Sequence, residues 1–262
     1  ERVRALIESE VEGLFDEVRT DALGSLICHR APRRAPREGA ERPTRVMLLG
    51  HMDEIGFLVS HIDDKGFIRL DPVGGFDARN LFSRRVRVCT DTEDLLGVLN
   101  PGGRPIHIAS AEDKNKVPEL KEFFVDLGLP AEAVRERVRI GDYVVLDEPL
   151  QEMGEKIVSK ALDDRIACWV AIEAVRQVAA SRTSHACDIT VVFTVQEEVG
   201  LRGSRVAAFA VQPDIGLGLD VTLACDTPGV PEHEAVTQQG KGFGLHVKDS
   251  SFIADKRLVD EI

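Results

Sequence analysis

Four short acidic clusters, each closing an apolar run, constrain this chain more than any other feature. They are Val46-Met47-Leu48-Leu49-Gly50-His51-Met52-Asp53-Glu54, Ala161-Leu162-Asp163-Asp164-Arg165, Val192-Phe193-Thr194-Val195-Gln196-Glu197-Glu198 and Leu217-Gly218-Leu219-Asp220. A carboxylate or imidazole at the end of an apolar β-run stands at the lip of a sheet. Open α/β sheets bind ligands at the carboxyl ends of their strands. The clusters lie far apart in sequence, so only folding could assemble them. One His and several carboxylates meeting there would offer nitrogen and oxygen donors to a hard-to-borderline divalent metal.

The length, 262 residues, suits one large domain or two smaller ones. No apolar run approaches the ~20 residues that span a bilayer, and no charged-then-apolar leader precedes the first helix. The formal charge of −12 argues against nucleic acid or an anionic membrane as main partner. Cys28, Cys89, Cys168, Cys187 and Cys225 are odd in number and form no C-x-x-C pair. They read as free thiols of a reducing compartment, the cytoplasm.

Val3, Leu6, Ile7, Val11, Leu14, Phe15 and Val18 follow helical spacing. Asp21 to Gly24 reads as a turn and Ser25 to His29 as a short strand. The Arg- and Pro-rich stretch from Arg30 to Arg45 reads as an exposed loop whose charge is a solvated face. Val46 to Gly50 is a buried strand. The middle then changes character. Phe57 to Ile62, Phe67 to Leu70, Val86 to Thr90, Leu95 to Leu99 and Tyr143 to Leu146 are short β-runs between turns, and only Pro130 to Val138 looks helical. The α/β pattern returns after Gln151: a helix opened by Asp163-Asp164, a strand from Ile189 to Val195, a helix from Ser204 to Ala210 and a strand from Ile215 to Val221. The fold expected is one α/β domain, residues 1–57 and 151–262, interrupted by a β-rich domain at 58–150.

Each cluster alone has an ordinary explanation. His51 could be a strand-end histidine bonded locally, and one of Asp163 and Asp164 could be an N-cap. Glu197 and Glu198 could be an exposed pair, and Asp220 could form an Asx turn. Together the four make a common accident improbable. Adjacent glutamates repel unless a cation or solvent separates them. A metal reading divides their labour, one binding metal and the other free to take a proton from the attacking water. No G-x-S-x-G, H-E-x-x-H or P-loop spacing is present to offer another chemistry.

In this order the clusters resemble the M42 family of metallo-aminopeptidases, the glutamyl and tetrahedral aminopeptidase group. The matching segments are His51-Met52-Asp53-Glu54-Ile55-Gly56-Phe57, Lys160-Ala161-Leu162-Asp163-Asp164-Arg165, Gln196-Glu197-Glu198-Val199-Gly200-Leu201-Arg202-Gly203 and Leu219-Asp220-Val221-Thr222. Asp226-Thr227-Pro228-Gly229 and Asp249-Ser250-Ser251 also match. The resemblance implies a zinc-peptidase-like α/β sandwich core with an inserted β-barrel-like domain used in dimerisation. It implies two divalent metals, Zn²⁺ or Co²⁺. His51 and Asp220 would ligate one, Asp163 would bridge both, and Glu198 would hold the second. Glu197 would be the general base, and Asp53 would orient His51. The reaction implied is removal of the N-terminal residue from peptides by a homo-oligomer, a dimer or a dodecamer.

Family members carry a further His ligand after a Gly-Gly-Thr-Asp stretch, and no His follows His246 here. The usual Ser-Gly segment before the first helix is also missing, and the expectation is that both ends are trimmed or lost. The alternative is a catalytically silent peptide-binding or assembly subunit. The intact Glu197 and Asp163 favour the active enzyme, because a silent subunit has no chemical need for both. A glycosidase would need carboxyls ~5–9.5 Å apart across a sugar, which neighbouring glutamates do not obviously provide.

Overall fold

The computed structural model describes residues 1–181, 184–249 and 251–262. Ser250, within one of the matching segments, lies outside the described residues. The chain opens with α1 (Arg2–Glu10), β1 (Glu17–Thr20), β2 (Leu26–Arg30) and β3 (Arg45–His51). It continues with β4 (Gly56–Ile62), β5 (Ile68–Val73), β6 (Arg84–Cys89) and β7 (Asp94–Pro101). A short helix α2 (Ala111–Asn115), β8 (Phe123–Asp126), α3 (Ala131–Arg137) and β9 (Tyr143–Leu146) follow. A hairpin of β10 (Gln151–Met153) and β11 (Lys156–Val158) precedes α4 (Leu162–Ala180), β12 (Asp188–Thr194), α5 (Arg202–Val211) and β13 (Ile215–Gly218). The last helix is α6 (Lys256–Glu261).

The main sheet has the order β1-β2-β12-β3-β13. Strands β12, β3 and β13 run parallel, and β2 lies antiparallel to β12. Pairing of Thr194 with His51 brings the carboxyl ends of β12 and β3 level. On one face α1 and α4 bury Ile7, Ala171, Ile172 and Val175 against Cys28, Val191 and Phe193. On the other face Ala207 of α5 packs against Ile27, Met47 and Val192. Both faces of β12 are therefore covered, which is why its sequence reads as an unbroken apolar run.

Strands β4-β5-β8-β7-β6-β9 close into a barrel. Its interior is filled by alternate residues such as Val86 and Val88 of β6, while the alternating Arg85 and Arg87 are exposed. Val134 of α3 and the nearby Val138 pack against the same interior.

Several elements differ from the sequence reading. The first helix stops at Glu10 instead of running to Val18, because Gly13 turns the chain with φ +74° and Glu17–Thr20 pairs with β2. Strand β8, absent from the reading, lies between β5 and β7 and closes the barrel. Neither Asp163 nor Asp164 caps α4, whose first residues are non-helical around a cis Asp163–Asp164 peptide.

The described chain divides into two compact units, Glu1–Asp220 and Val221–Ile262. Within the second, Lys248 bridges Ile253 and the Asp249 carboxylate accepts the Phe252 N–H at 2.7 Å. Among the described residues no helix is long and apolar enough to cross a membrane.

Candidate metal centre

The parallel strands deliver their carboxyl ends to one place. His51 is the last residue of β3, Glu197 and Glu198 follow β12, and Asp220 follows β13. Asp163 joins them from the entry to α4. Ligand-type atoms of His51, Asp163 and Asp220 lie within 4.8 Å of one another, and so do those of His51, Glu197 and Glu198. His51 belongs to both groups and is buried.

The imidazole is held from behind. Nδ1 lies 3.1 Å from the carbonyl oxygen of Asp53, with the Asp53 carboxylate at 3.6 Å. With Nδ1–H donating to that carbonyl, Nε2 faces Asp163 Oδ1 at 3.0 Å and Glu197 Oε2 at 3.7 Å. A histidine whose far nitrogen is fixed in this way presents its other nitrogen as a ligand. The His51 backbone N–H donates to the fully buried Asp164 carboxylate at 3.0 Å. Asp164 is therefore a support for the strand end, a role its sequence position did not reveal.

Glu197 and Glu198 face the same site although they are neighbours. The bend that permits this falls on Gln196, with φ +58°, just before the pair, and Gly200 (φ +119°) closes the turn. The N–H groups of Glu197 and Glu198 point to Asp53 Oδ1 and Oδ2, each at 3.3 Å.

The electrostatics suit a cation. Burial and the charges of neighbouring carboxylates raise the pKa of Glu198 to about 7, burial foremost and Asp163 next. Glu197 is raised from its ordinary value by burial and by Asp220, Asp53 and Asp163, against the opposing pull of His51. Asp164 is raised to about 7, chiefly by burial. Burial disfavours a charged His51, but the hydrogen bond to Asp53 and the surrounding carboxylates outweigh it and raise its pKa to about 9. Carboxylates that disfavour one another's charge around a buried imidazole are relieved by a divalent cation. The donor set, imidazole nitrogen and carboxylate oxygen, fits a borderline-to-hard metal. The residues present therefore fit metal binding.

Comparison with known proteins agrees. The M42 glutamyl aminopeptidase family model matches residues 34–262. The lysyl aminopeptidase of Pyrococcus furiosus is 35% identical over 264 residues, covering 99% of this chain and 71% of the relative. The solved TET aminopeptidase from a marine-sediment Thaumarchaeota archaeon superposes with a TM-score of 0.89 at 35% identity, covering 99% of this chain and 70% of that one. PhTET1-12s, solved as a dodecamer, gives 0.80 at 30% identity, covering 99% and 73%. The chain spans 63% of another solved aminopeptidase chain, from Desulfurococcus kamchatkensis. A family match over most of the chain, a shared fold and a donor set suited to metal lead to one assignment: the chain belongs to the M42 glutamyl aminopeptidase family, a family of metal-dependent peptidases.

Proposed function

We propose that this chain is a metal-dependent aminopeptidase that removes the N-terminal residue of peptides at a dinuclear Zn²⁺ or Co²⁺ site. The observation that carries the reading is the pair of donor groups sharing His51, one with Asp163 and Asp220 and the other with Glu197 and Glu198. In this reading His51 and Asp220 would hold one ion and Glu198 the second, with Asp163 as the ligand shared between them. When bound, the metals supply Lewis acidity that lowers the pKa of water toward ~7 and polarises the scissile carbonyl. Glu197 takes the proton of the attacking water at its carboxylate and passes it to the departing amine. Glu197 reaches this site from the turn after β12, with Oε2 3.7 Å from His51 Nε2. Asp53 holds His51 and the Glu197-Glu198 turn in register.

The test is hydrolysis of aminoacyl amide substrates. Cleavage of free-amine substrates, loss on chelation and recovery with Zn²⁺ or Co²⁺ are expected. Equal cleavage of an N-acetylated substrate, or none of either, would sink the reading.

The proposal extends to assembly and location. We place residues 58–150 as an inserted domain that contributes to self-association as a homo-oligomer. Leu96 and Val98 on the outside of β7 and Phe82 before β6 leave apolar surface exposed on the barrel. PhTET1-12s is itself a dodecamer. Five unpaired thiols suit the cytoplasm.

A further inference from the structure

Glu54, Lys160 and Arg165 lie in the matching segments, yet the proposed chemistry uses none of them. They meet beside the centre. Glu54 Oε1 accepts from Lys160 Nζ at 2.5 Å and from Arg165 Nη2 at 2.6 Å, and Lys160 also donates to Glu54 Oε2. Glu54 and Lys160 are largely buried, at 13% and 18% side-chain exposure, so the pair is little screened by solvent.

The connectivity gives this contact its meaning. Glu54 directly follows Asp53 on the segment that carries His51. Lys160 and Arg165 flank Asp163, one on each side. A single carboxylate thus grips the Asp163 segment at two points, on either side of Asp163 in sequence, and Asp163 Oδ1 lies 3.0 Å from His51 Nε2. Two cations against one carboxylate also leave one positive charge over, next to a site built from Asp53, Asp163, Asp164, Glu197, Glu198 and Asp220.

We propose that Glu54 is a positioning residue for the metal centre, using Lys160 and Arg165 to fix the Asp163 segment against the His51 strand end. It touches neither substrate nor metal and acts only through the spacing of His51 and Asp163. The inference rests on the metal-site reading above. Supporting residues behind metal ligands typically carry ~10–100-fold in metal affinity.

The test uses the full chain, stripped by chelator and titrated with Co²⁺ alone. Affinity is read by calorimetry and ligand geometry by the visible absorption of the bound ion. Wild type is compared with Glu54→Gln, Lys160→Met, the double variant and Arg33→Ala, the last breaking an ion pair with Asp16 elsewhere. Glu54→Gln and Lys160→Met should each weaken Co²⁺ binding ~10–100-fold and shift its absorption bands. The double variant should lose less than the two losses summed, because both act through one contact, and Arg33→Ala should match wild type. If Glu54→Gln does not fold, Lys160→Met decides by the same readings. Wild-type affinity and spectrum in the deciding variant would overturn the positioning role alone. Failure of wild type itself to bind Co²⁺ would overturn the metal-site reading and this inference with it.

Discussion

The carboxylate of Asp53 lies under the turn that carries Glu197, its Oδ1 3.3 Å from the Glu197 backbone N–H. Its other oxygen is equally close to the N–H of Glu198. One side chain thus holds the two glutamates from below, while the Asp53 carbonyl holds the ring of His51. Asp53→Asn keeps one acceptor oxygen and replaces the other by an NH₂ that cannot accept from an N–H. That variant should lose ~10–100-fold in kcat/KM or in metal affinity. Asp53→Ala should lose at least as much. Steady-state kinetics beside metal titration checks both, and a kcat/KM and metal affinity for Asp53→Asn equal to wild type would refute the hold.

The two glutamates should separate by function. A base must take a proton without being tied up as a ligand. In the proposed assignment Glu197→Gln retains metal but loses ~10²–10⁴-fold in rate, whereas Glu198→Gln loses metal. Elemental analysis alongside hydrolysis of aminoacyl substrates reads the two effects independently. Loss of metal in Glu197→Gln with metal and rate intact in Glu198→Gln would reverse the roles.

What could be read from the sequence follows burial. Strands β3 and β12 announced themselves because both of their faces are covered, leaving unbroken apolar runs. The β-rich middle was legible from its short runs between turns. Strand β1 was not, because all of its residues are exposed at the sheet edge and Val18 happened to continue the helical spacing of α1. The hairpin of β10 and β11 is likewise exposed throughout. In the site, residue types and strand ends pointed to His51, Asp163, Glu198 and Asp220, and Asp53 was expected behind His51. The hold of Asp53 on the Glu197-Glu198 turn and of Asp164 on the His51 strand end did not show, because both act on backbone N–H groups, which leave no side-chain pattern. The bend at Gln196 uses a left-handed conformation without the glycine that would have marked it.

The Arg-rich loop read as a solvated face is partly tied down. Arg42 donates to both oxygens of Asp214 at 2.6 Å, and the Arg45 N–H adds a bond at 2.9 Å, fixing the loop to the start of β13. The Arg42 hydrogen bonds, foremost, hold the Asp214 carboxyl well below its ordinary range. A depressed carboxylate contributes stability above its unfolded pKa, about 3.9, and loses it as the pH falls through the folded value. Arg42→Ala should therefore lower the urea midpoint at pH 7, and the gap from wild type should narrow as the pH falls below about 3.9. A gap that widens on acidification would contradict the sign.

Gly74 and Gly75 offer a matched pair for the contact between barrel and centre. Gly74 sits just past β5 with φ +87°, where a side chain is strained. A methyl group there would lie 2.5 Å from Ile55 Cγ2 and 3.4 Å from Glu198 Cβ. Ile55 would have to move, and it occupies the short link between the His51 strand end and β4. A methyl group on Gly75 would meet nothing within 4 Å. Gly74→Ala should cost ~1–3 kcal/mol, as overpacking does, and should weaken metal binding by displacing Glu198. Gly75→Ala should stay within about 0.5 kcal/mol of wild type, as exposed substitutions usually do. Urea unfolding and Co²⁺ titration of the two variants make the comparison. Equal stability and equal affinity in both would mean that the barrel loop does not press on the Glu198 turn.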